Sequence, residues 1–217
     1  RPRPDDFQIK KAVEKIKNSK KPLIISGGGV FYSDAMDELG NFAVKHNIPV
    51  TQTVMGYSTM KKDHSHFVGP IGGLGGKAAN NLAKETDLAI CIGTKLADFT
   101  TGSWANFENP EFNLVSINIA RHDANKHLGE AVIGDAKVTL TELSNAIGDW
   151  KSSDSWHKKS QVELKSWNEY VDKESGPTNQ ELPSYAHAVG AIYRNSDPTD
   201  IAVTAAGGLV GEVVQVW

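Results

Sequence analysis

Apolar residues recur along the first 150 positions in two patterns, helical spacing and short continuous runs. The helical pattern is clearest near the start, where Ile9, Ala12 and Ile16 share one face of a predicted helix. The continuous runs predict buried strands; they are Pro22–Ser26, Ile48–Thr53, Asp87–Gly93, Leu114–Ile119 and Ala131–Ile133. Because these strands alternate with helices, the sequence predicts an α/β fold, a doubly wound parallel sheet with helices on both faces.

Capping residues indicate where the helices begin. The candidates are Asp5 and Asp6 for the first helix, and Ser33, Asp135, Ser155 and Ser184 for later ones. Between Gly56 and Gly76 the chain is rich in glycine and is predicted to be irregular, ahead of a helix at Lys77–Lys84.

The pattern changes after Trp150, where a charged helix leads into a stretch containing Gly176 and two prolines. A strand at Ile201–Thr204, a glycine turn and the beginning of a helix then follow. We therefore predict a central domain over residues 6–148, a connecting helix and linker over 149–183, and the truncated start of another domain over 184–217. The missing initial methionine and the apolar final segment lead us to expect a domain fragment.

Charge and cysteine content narrow the class of protein. The 217 residues include 23 Lys and Arg against 26 Asp and Glu, a net charge of −3, so we expect neither a nucleic-acid nor a membrane partner. No apolar run reaches the roughly 20 residues of a membrane span. The single cysteine, Cys91, excludes an internal disulfide and favours a cytoplasmic location.

Two glycine-rich segments are candidates for phosphate binding. Gly27–Gly29 ends a predicted strand ahead of a helix, but Tyr32 stands where a dinucleotide fingerprint has glycine. A tight turn is the favoured interpretation there, and a ligand loop is the alternative.

The second segment, Gly72–Lys77, lacks both the first glycine and the Ser or Thr of a Walker A loop, because Ile71 and Ala78 stand there. Gly73–Ala78 fits the spacing GxGxxA, yet Gly69 disrupts the strand that should precede it. A close-packed turn is favoured over nucleotide binding.

Other chemistry-bearing residues are scattered. The candidate metal ligands are His64 with His66, and His122 with Asp123 and His127, but both sets are better explained as surface residues. Cys91 lies within a predicted strand, and we interpret it as an inert core residue. Four aspartates flank predicted strands, where α/β sheets bind ligands; they are Asp87, Asp98, Asp123 and Asp135. No nucleophile elbow is present, so we assign no catalytic residue and no metal ligand.

The order of several local strings resembles the central domain of thiamine diphosphate-dependent enzymes, the acetolactate synthase and decarboxylase superfamily. The strings are Lys21–Gly29, Asp63–Gly69, Gly72–Ala79, Asp87–Asp98, Ser116–Ala120 and Val132–Ala136. The tail, Thr204–Trp217, resembles the start of the diphosphate-binding domain. Its Ala-Gly-Gly-Leu-x-Gly form is most similar to the trihydroxycyclohexane-1,2-dione hydrolases of myo-inositol catabolism, whereas acetolactate synthases have Gly-Gln-His there.

This resemblance implies a cytoplasmic enzyme that opens a cyclic 1,2-dione by hydrolysis, using thiamine diphosphate and Mg²⁺. Only Gly207, Gly208 and Leu209 match positions near the cofactor diphosphate. The activating glutamate and the magnesium motif belong to domains outside this chain, so we expect the fragment alone to be inactive and to hold no cofactor.

In some relatives the central domain holds FAD or an adenine nucleotide. Here Lys95–Asp98 contains no arginine, and Arg121 stands where relatives often have acidic residues, so we expect an unliganded, structural sheet. Its expected partners are the missing N-terminal and C-terminal domains and further copies in a homo-oligomer. The alternatives are a fragment of an acetolactate synthase-like carboligase and a free-standing nucleotide-binding module.

Overall fold

A computed structural model describes residues 1–217 and contains one six-stranded sheet. Its strands are β1 (Pro22–Ser26), β2 (Val50–Gln52), β3 (Phe67–Pro70), β4 (Leu88–Ile92), β5 (Asn113–Asn118) and β6 (Glu130–Ile133). They lie in the order β3-β2-β1-β4-β5-β6, and every neighbouring pair is parallel. The predicted doubly wound parallel sheet is confirmed.

Ten α-helices surround and extend this sheet. They are α1 (Asp6–Asn18), α2 (Gly28–Tyr32), α3 (Met36–His46), α4 (Lys77–Glu85), α5 (Asp98–Thr101), α6 (Arg121–Asn125), α7 (Ala136–Ile147), α8 (Asp154–Glu174), α9 (Tyr185–Arg194) and α10 (Gly208–Val216). A short 3₁₀ turn covers Val54–Gly56. No helix combines the length and apolar character needed to cross a membrane.

The two central strands are apolar except for Ser26 at the end of β1, because helices cover both faces of the sheet. Every residue of β1 and β4 is buried. Ile24 and Ile90 belong to the larger core, which includes residues of α1, α3 and α7. Leu23 and Cys91 point to the opposite face and belong to a second core with residues of α4 and α8.

Asp135 joins three segments at one end of the molecule. Its side chain accepts hydrogen bonds from the N–H groups of Lys137 and Val138, which makes it the N-cap of α7 as predicted. The hydroxyl of Ser33 donates to it at 2.6 Å, and Arg1 forms an ion pair with it at 3.0 Å. Burial tends to raise the pKa of Asp135, but these hydrogen bonds outweigh that effect and lower it.

Two of the predicted caps are wrong. Ser33 ends α2 instead of starting a helix, and α3 begins after Ala35, so the Ser33 hydroxyl is available to Asp135. Ser153, not Ser155, caps α8, because its hydroxyl accepts the N–H of Trp156. The predicted cap Ser184 is confirmed, with a reciprocal bond to His187.

Two strand predictions also differ from the structure. The region predicted to be irregular contains β3, which pairs with β2. Ile201–Thr204 forms no strand, because no other strand lies beside it; Ile201 and Val203 are 86% and 91% exposed. Strand-forming composition alone does not make a strand without a pairing partner.

Helix α8 packs on the sheet domain along its first half. The indole Nε1 of Trp156 donates to the carbonyl oxygen of Pro22 at 2.8 Å, at the start of β1. Helix α8 also contacts α4 and β3, and α9 and α10 pack against each other beyond it. The C-terminal helices are therefore attached to the sheet domain through α8 and through direct contacts of α10 with β3.

We predict that Asp135→Ala lowers the free energy of unfolding by about 1–3 kcal/mol, because α7 loses its cap and Ser33 loses its buried acceptor. Chemical denaturation measures the change. Asp149→Ala is the matched control, since that aspartate is exposed and makes no side-chain hydrogen bond. Equal stability of the two variants would contradict the role given to Asp135.

Candidate functional site

The carboxyl edge of the sheet between β1 and β4 is where doubly wound folds form a ligand crevice, because the chain winds away in opposite directions there. In this chain two glycines bring the loops after β1 and β4 together at this point. A Cβ added to Gly29 would lie 2.6 Å from the Cα of Gly93, so the two backbones are in direct contact. Any side chain at either position would separate the loops.

Two of the three amides of the first glycine segment donate to carbonyl oxygens inside the protein. The N–H of Gly27 donates to the carbonyl oxygen of Ile92 at 2.8 Å, and the N–H of Gly29 donates to that of Gly93 at 2.9 Å. A phosphate cradle needs such amides free to point at the ligand. The geometry therefore favours the tight turn over the ligand loop.

The second glycine segment is packed in the same way. The N–H groups of Gly72, Gly73 and Gly76 donate, in that order, to the Oδ1 of Asn80 at 2.9 Å, to Phe99 O at 2.7 Å and to Pro70 O at 2.8 Å. Helix α4 then begins at Lys77, after Gly76 as N-cap. This segment is a close-packed turn whose amides support α5 and β3.

His66 lies inside the protein, so its predicted position at the surface is wrong. It is 6% exposed, and its ring stacks on that of His157 from α8 at 4.1 Å between centroids. Its Nε2 donates to the Oδ1 of Asn47 at 3.2 Å, and the hydroxyl of Ser65 donates to its Nδ1 at 3.0 Å. Burial, followed by the nearby rings of His157 and His64, lowers the pKa of His66 to about 4.

Two members of the second candidate metal set, His127 and Asp123, contact other side chains of the protein. The ring of His127 lies edge-on to Trp104 at 4.7 Å, and Asp123 pairs with Lys126 at 3.5 Å. His122 is exposed on α6. The structure contains no group of three or more His, Cys, Asp and Glu residues arranged to hold a metal ion.

Cys91 and the strand-flanking aspartates stabilise the fold. Cys91 is buried in β4, and burial raises the pKa of its thiol, so it is an inert core residue as predicted. Asp87 precedes β4, at the edge opposite the crevice, and accepts the N–H groups of Lys20 and Lys21 at 2.7 and 2.9 Å. Asp98 accepts the hydroxyl of Ser103 at 2.9 Å.

Gly207, Gly208 and Leu209 lie together at the N-terminus of α10. Gly207 precedes the helix with φ +143°, a conformation that favours glycine, and a Cβ there would meet no atom within 4 Å. All three residues are exposed, and no side chain caps the helix. The first N–H groups of α10 therefore have no acceptor within the helix.

This turn fits a diphosphate group in its donor chemistry. Unpaired amides and the positive end of the helix dipole both favour an anion. The stretch Thr204–Trp217 carries only one charged residue, Glu212, so the backbone supplies the attraction. The turn offers no carboxylate or amide side chain as a ligand for a divalent cation.

Sequence reasoning missed a hydrogen-bonded contact that holds α10 in place. The Nε1 of Trp167 on α8 donates to the Oε1 of Gln215 at 3.0 Å, and the Nε2 of Gln215 donates to the carbonyl oxygen of Leu74 at 2.7 Å. These residues are 48 and 141 positions from Gln215, so no local pattern could connect them.

Comparisons with known proteins agree on one family. The family model described as "Thiamine pyrophosphate enzyme, central domain" matches residues 9–143. The chain is 34% identical to a 3D-(3,5/4)-trihydroxycyclohexane-1,2-dione hydrolase of Clostridium perfringens, over 97% of the chain and 36% of the relative. Enzymes of that name from Bacillus anthracis and Geobacillus thermodenitrificans are 36% and 32% identical, over 99% and 100% of the chain. The chain spans 37% of the length of each of these two relatives.

The buried histidine predicts a pH-dependent stability. Because the pKa of His66 is about 4 in the fold against an ordinary 6.5, the unfolded chain binds more protons between these values. The contribution of neutral His66 to the free energy of unfolding is therefore fully present above pH 6.5. It falls as the pH drops toward 4, by on the order of 3 kcal/mol.

Denaturation curves at several pH values test this expectation. His66→Gln should reduce the loss of stability between pH 6.5 and 4. His122→Gln, at an exposed position, serves as the control and should follow the original chain. If all three proteins lose stability in parallel, His66 does not cause the pH dependence.

Proposed function

The chain belongs to the thiamine pyrophosphate enzyme family, whose central domain it matches, and we propose that it is part of a thiamine diphosphate-dependent hydrolase. The proposed reaction of the full-length protein is hydrolytic opening of a cyclic 1,2-dione, with 3D-(3,5/4)-trihydroxycyclohexane-1,2-dione as substrate. We place this reaction in the degradation of myo-inositol and the protein in the cytoplasm. The proposal rests on the resemblance to hydrolases of that name.

One observation carries the proposal beyond the family. The similarity to these hydrolases covers 97–100% of the chain and so extends past residue 143, where the central-domain match ends, into the turn at Gly207 and Gly208. That turn begins a helix whose first amides are exposed. An acetolactate synthase-like carboligase is the second candidate, and the Gly-Leu pair at Gly208-Leu209 counts against it.

We propose that Gly207, Gly208 and Leu209 hold the diphosphate of the cofactor through their backbone N–H groups. When bound, thiamine diphosphate supplies the electron sink for carbon–carbon cleavage. The residues of this chain would fix one end of the cofactor and contribute no proton transfer. The Mg²⁺ ligands and the activating glutamate would come from other parts of the full-length protein.

The sheet domain has a structural role in this proposal. We divide the chain into a central domain at 6–148, a connecting helix and linker at 149–183 and the start of the diphosphate-binding domain at 184–217. The central-domain match at 9–143 falls within the first range, which supports its bounds. The proposed partners are the N-terminal and C-terminal domains of the same protein and further copies in a homo-oligomer, and the chain alone would be inactive.

A free-standing nucleotide-binding module is the candidate from another class. It depends on free amides in Gly27–Gly29 or Gly73–Ala78, and the N–H groups of Gly27, Gly29 and the three glycines of the second segment donate to protein carbonyls. Retention of FAD, NAD or ADP by the purified chain at micromolar concentrations would favour the module over the hydrolase.

We expect the full-length protein that contains this chain to consume 3D-(3,5/4)-trihydroxycyclohexane-1,2-dione only with added thiamine diphosphate and Mg²⁺. Loss of dione absorbance, with chromatography of the ring-opened acid, measures the reaction. Pyruvate is the comparison substrate, because formation of acetolactate would identify a carboligase. Absence of cofactor-dependent dione consumption would exclude the hydrolase assignment.

Gly207→Ala should raise the thiamine diphosphate concentration needed for half-maximal activity by roughly tenfold, because alanine is strained at φ +143° and would turn the amides away. Gly211→Ala is the matched control within the same helix, where the nearest atom to an added Cβ is 3.6 Å away. The control should change the cofactor requirement less than twofold. If the two substitutions changed the cofactor requirement equally, Gly207 would have no specific role in cofactor binding.

A further inference from the structure

The side-chain amide of Gln215 bridges three separate parts of the structure. Its Oε1 accepts a hydrogen bond from the indole of Trp167 on α8, and its Nε2 donates to the carbonyl oxygen of Leu74 in the loop before α4. The distances are 3.0 and 2.7 Å, both normal for strong hydrogen bonds. We call Gln215, Trp167 and Leu74 the amide clamp.

The loop is shaped to allow this clamp to form. A Cβ added to Gly76 would lie 2.6 Å from the Nε1 of Trp167 and 3.1 Å from the Oε1 of Gln215. The absence of a side chain at Gly76 therefore lets the indole and the amide approach the loop together. A larger residue would displace at least one partner of the clamp.

The clamp acts on the end of α10 that lies opposite the proposed diphosphate turn. The helix has nine residues and is about 13 Å long. Near its C-terminus, the Nζ of Lys62 lies 3.4 Å from the carbonyl oxygen of Val216, and the ring of Trp217 meets Tyr193 edge-on at 5.7 Å. Its first turn, at Gly208, is exposed and carries no cap.

A helix anchored at one end points its other end in a direction that the anchor determines. The two bonds of Gln215 have defined directions, and together with the packing of α10 on α9 they restrict the rotation of α10 about its axis. The direction of the amides at Gly207 and Gly208 follows from that rotation.

We infer that Gln215 is a positioning residue that holds the diphosphate-binding turn in its binding orientation from the far end of α10. This inference rests on the proposed function. Gln215 would touch neither cofactor nor substrate, and its effect would be on the preorganisation of backbone donors. The central sheet thereby takes part in cofactor binding, through Leu74, without contacting the cofactor.

Three variants of the full-length protein disrupt the amide clamp, each at a different structural element. Gln215→Ala removes both hydrogen bonds, Trp167→Phe removes one of them, and Gly76→Ala displaces the partners from the loop side. Gln161→Ala is the matched control, because the Nε2 of Gln161 also donates from α8 to a sheet-domain carbonyl, that of Ser65 at 2.8 Å, away from α10.

We expect Gln215→Ala and Gly76→Ala to weaken thiamine diphosphate binding about tenfold and Trp167→Phe about threefold, with kcat at saturating cofactor within twofold of the original protein. Gln161→Ala should leave the affinity within twofold. A role in stability alone would lower the melting temperature of these variants without a change in affinity, and that result would overturn the inference.

Hydrogen exchange gives a readout that does not depend on the cofactor. In Gln215→Ala the amides of α10 should exchange at least fivefold faster, while those of α4 remain unchanged. If the original protein binds no thiamine diphosphate, the proposed function fails. If it binds, and neither affinity nor exchange changes in Gln215→Ala, the clamp does not position the turn.

Discussion

The backbone contact between Gly29 and Gly93 determines what the sheet can do. A parallel doubly wound sheet opens a crevice at its switch point, and ligands enter where the two loops diverge. Here the loops meet without intervening side chains, and the amide of Gly29 donates to the carbonyl of Gly93. At this point of the carboxyl edge the two backbones are in contact, and the amides of Gly27 and Gly29 are used for folding.

The sheet domain also supports the C-terminal helices. The glycine loop before α4 is held by Asn80 and Phe99, and it presents the carbonyl of Leu74 to α10. Helix α8 joins this arrangement through Trp156 at β1 and Trp167 at α10. A small number of directional bonds therefore connects the sheet domain to the C-terminal half of α10.

The sequence predicted those features that depend on neighbouring residues. Strands β1 and β4 followed from continuous apolar runs, and the caps Asp135 and Ser184 from their position before helical patterns. Features that depend on distant residues were missed: His66 is buried because α8 returns to cover it, and β3 forms because β2 lies beside it. Ile201–Thr204 is the opposite case, a strand-like segment that finds no partner. The glycine turn at Gly207 was predicted from the residue pattern, but its assignment to cofactor binding came from family resemblance alone.

Gln215 shows how a sequence can mark such a distant contact. It is the only polar residue between Val213 and Trp217, where an apolar side chain would pack at no cost in desolvation. Gln215 is half-buried, and removing an amide from water costs little only when both of its ends are hydrogen-bonded, as they are here by Trp167 and Leu74. Because the exchange of water for protein partners adds little net free energy, the benefit of this glutamine is a single orientation of α10 more than added stability. A half-buried glutamine whose side chain is hydrogen-bonded at both ends therefore favours one orientation of its helix, and the turn at Gly207 is what that orientation would serve.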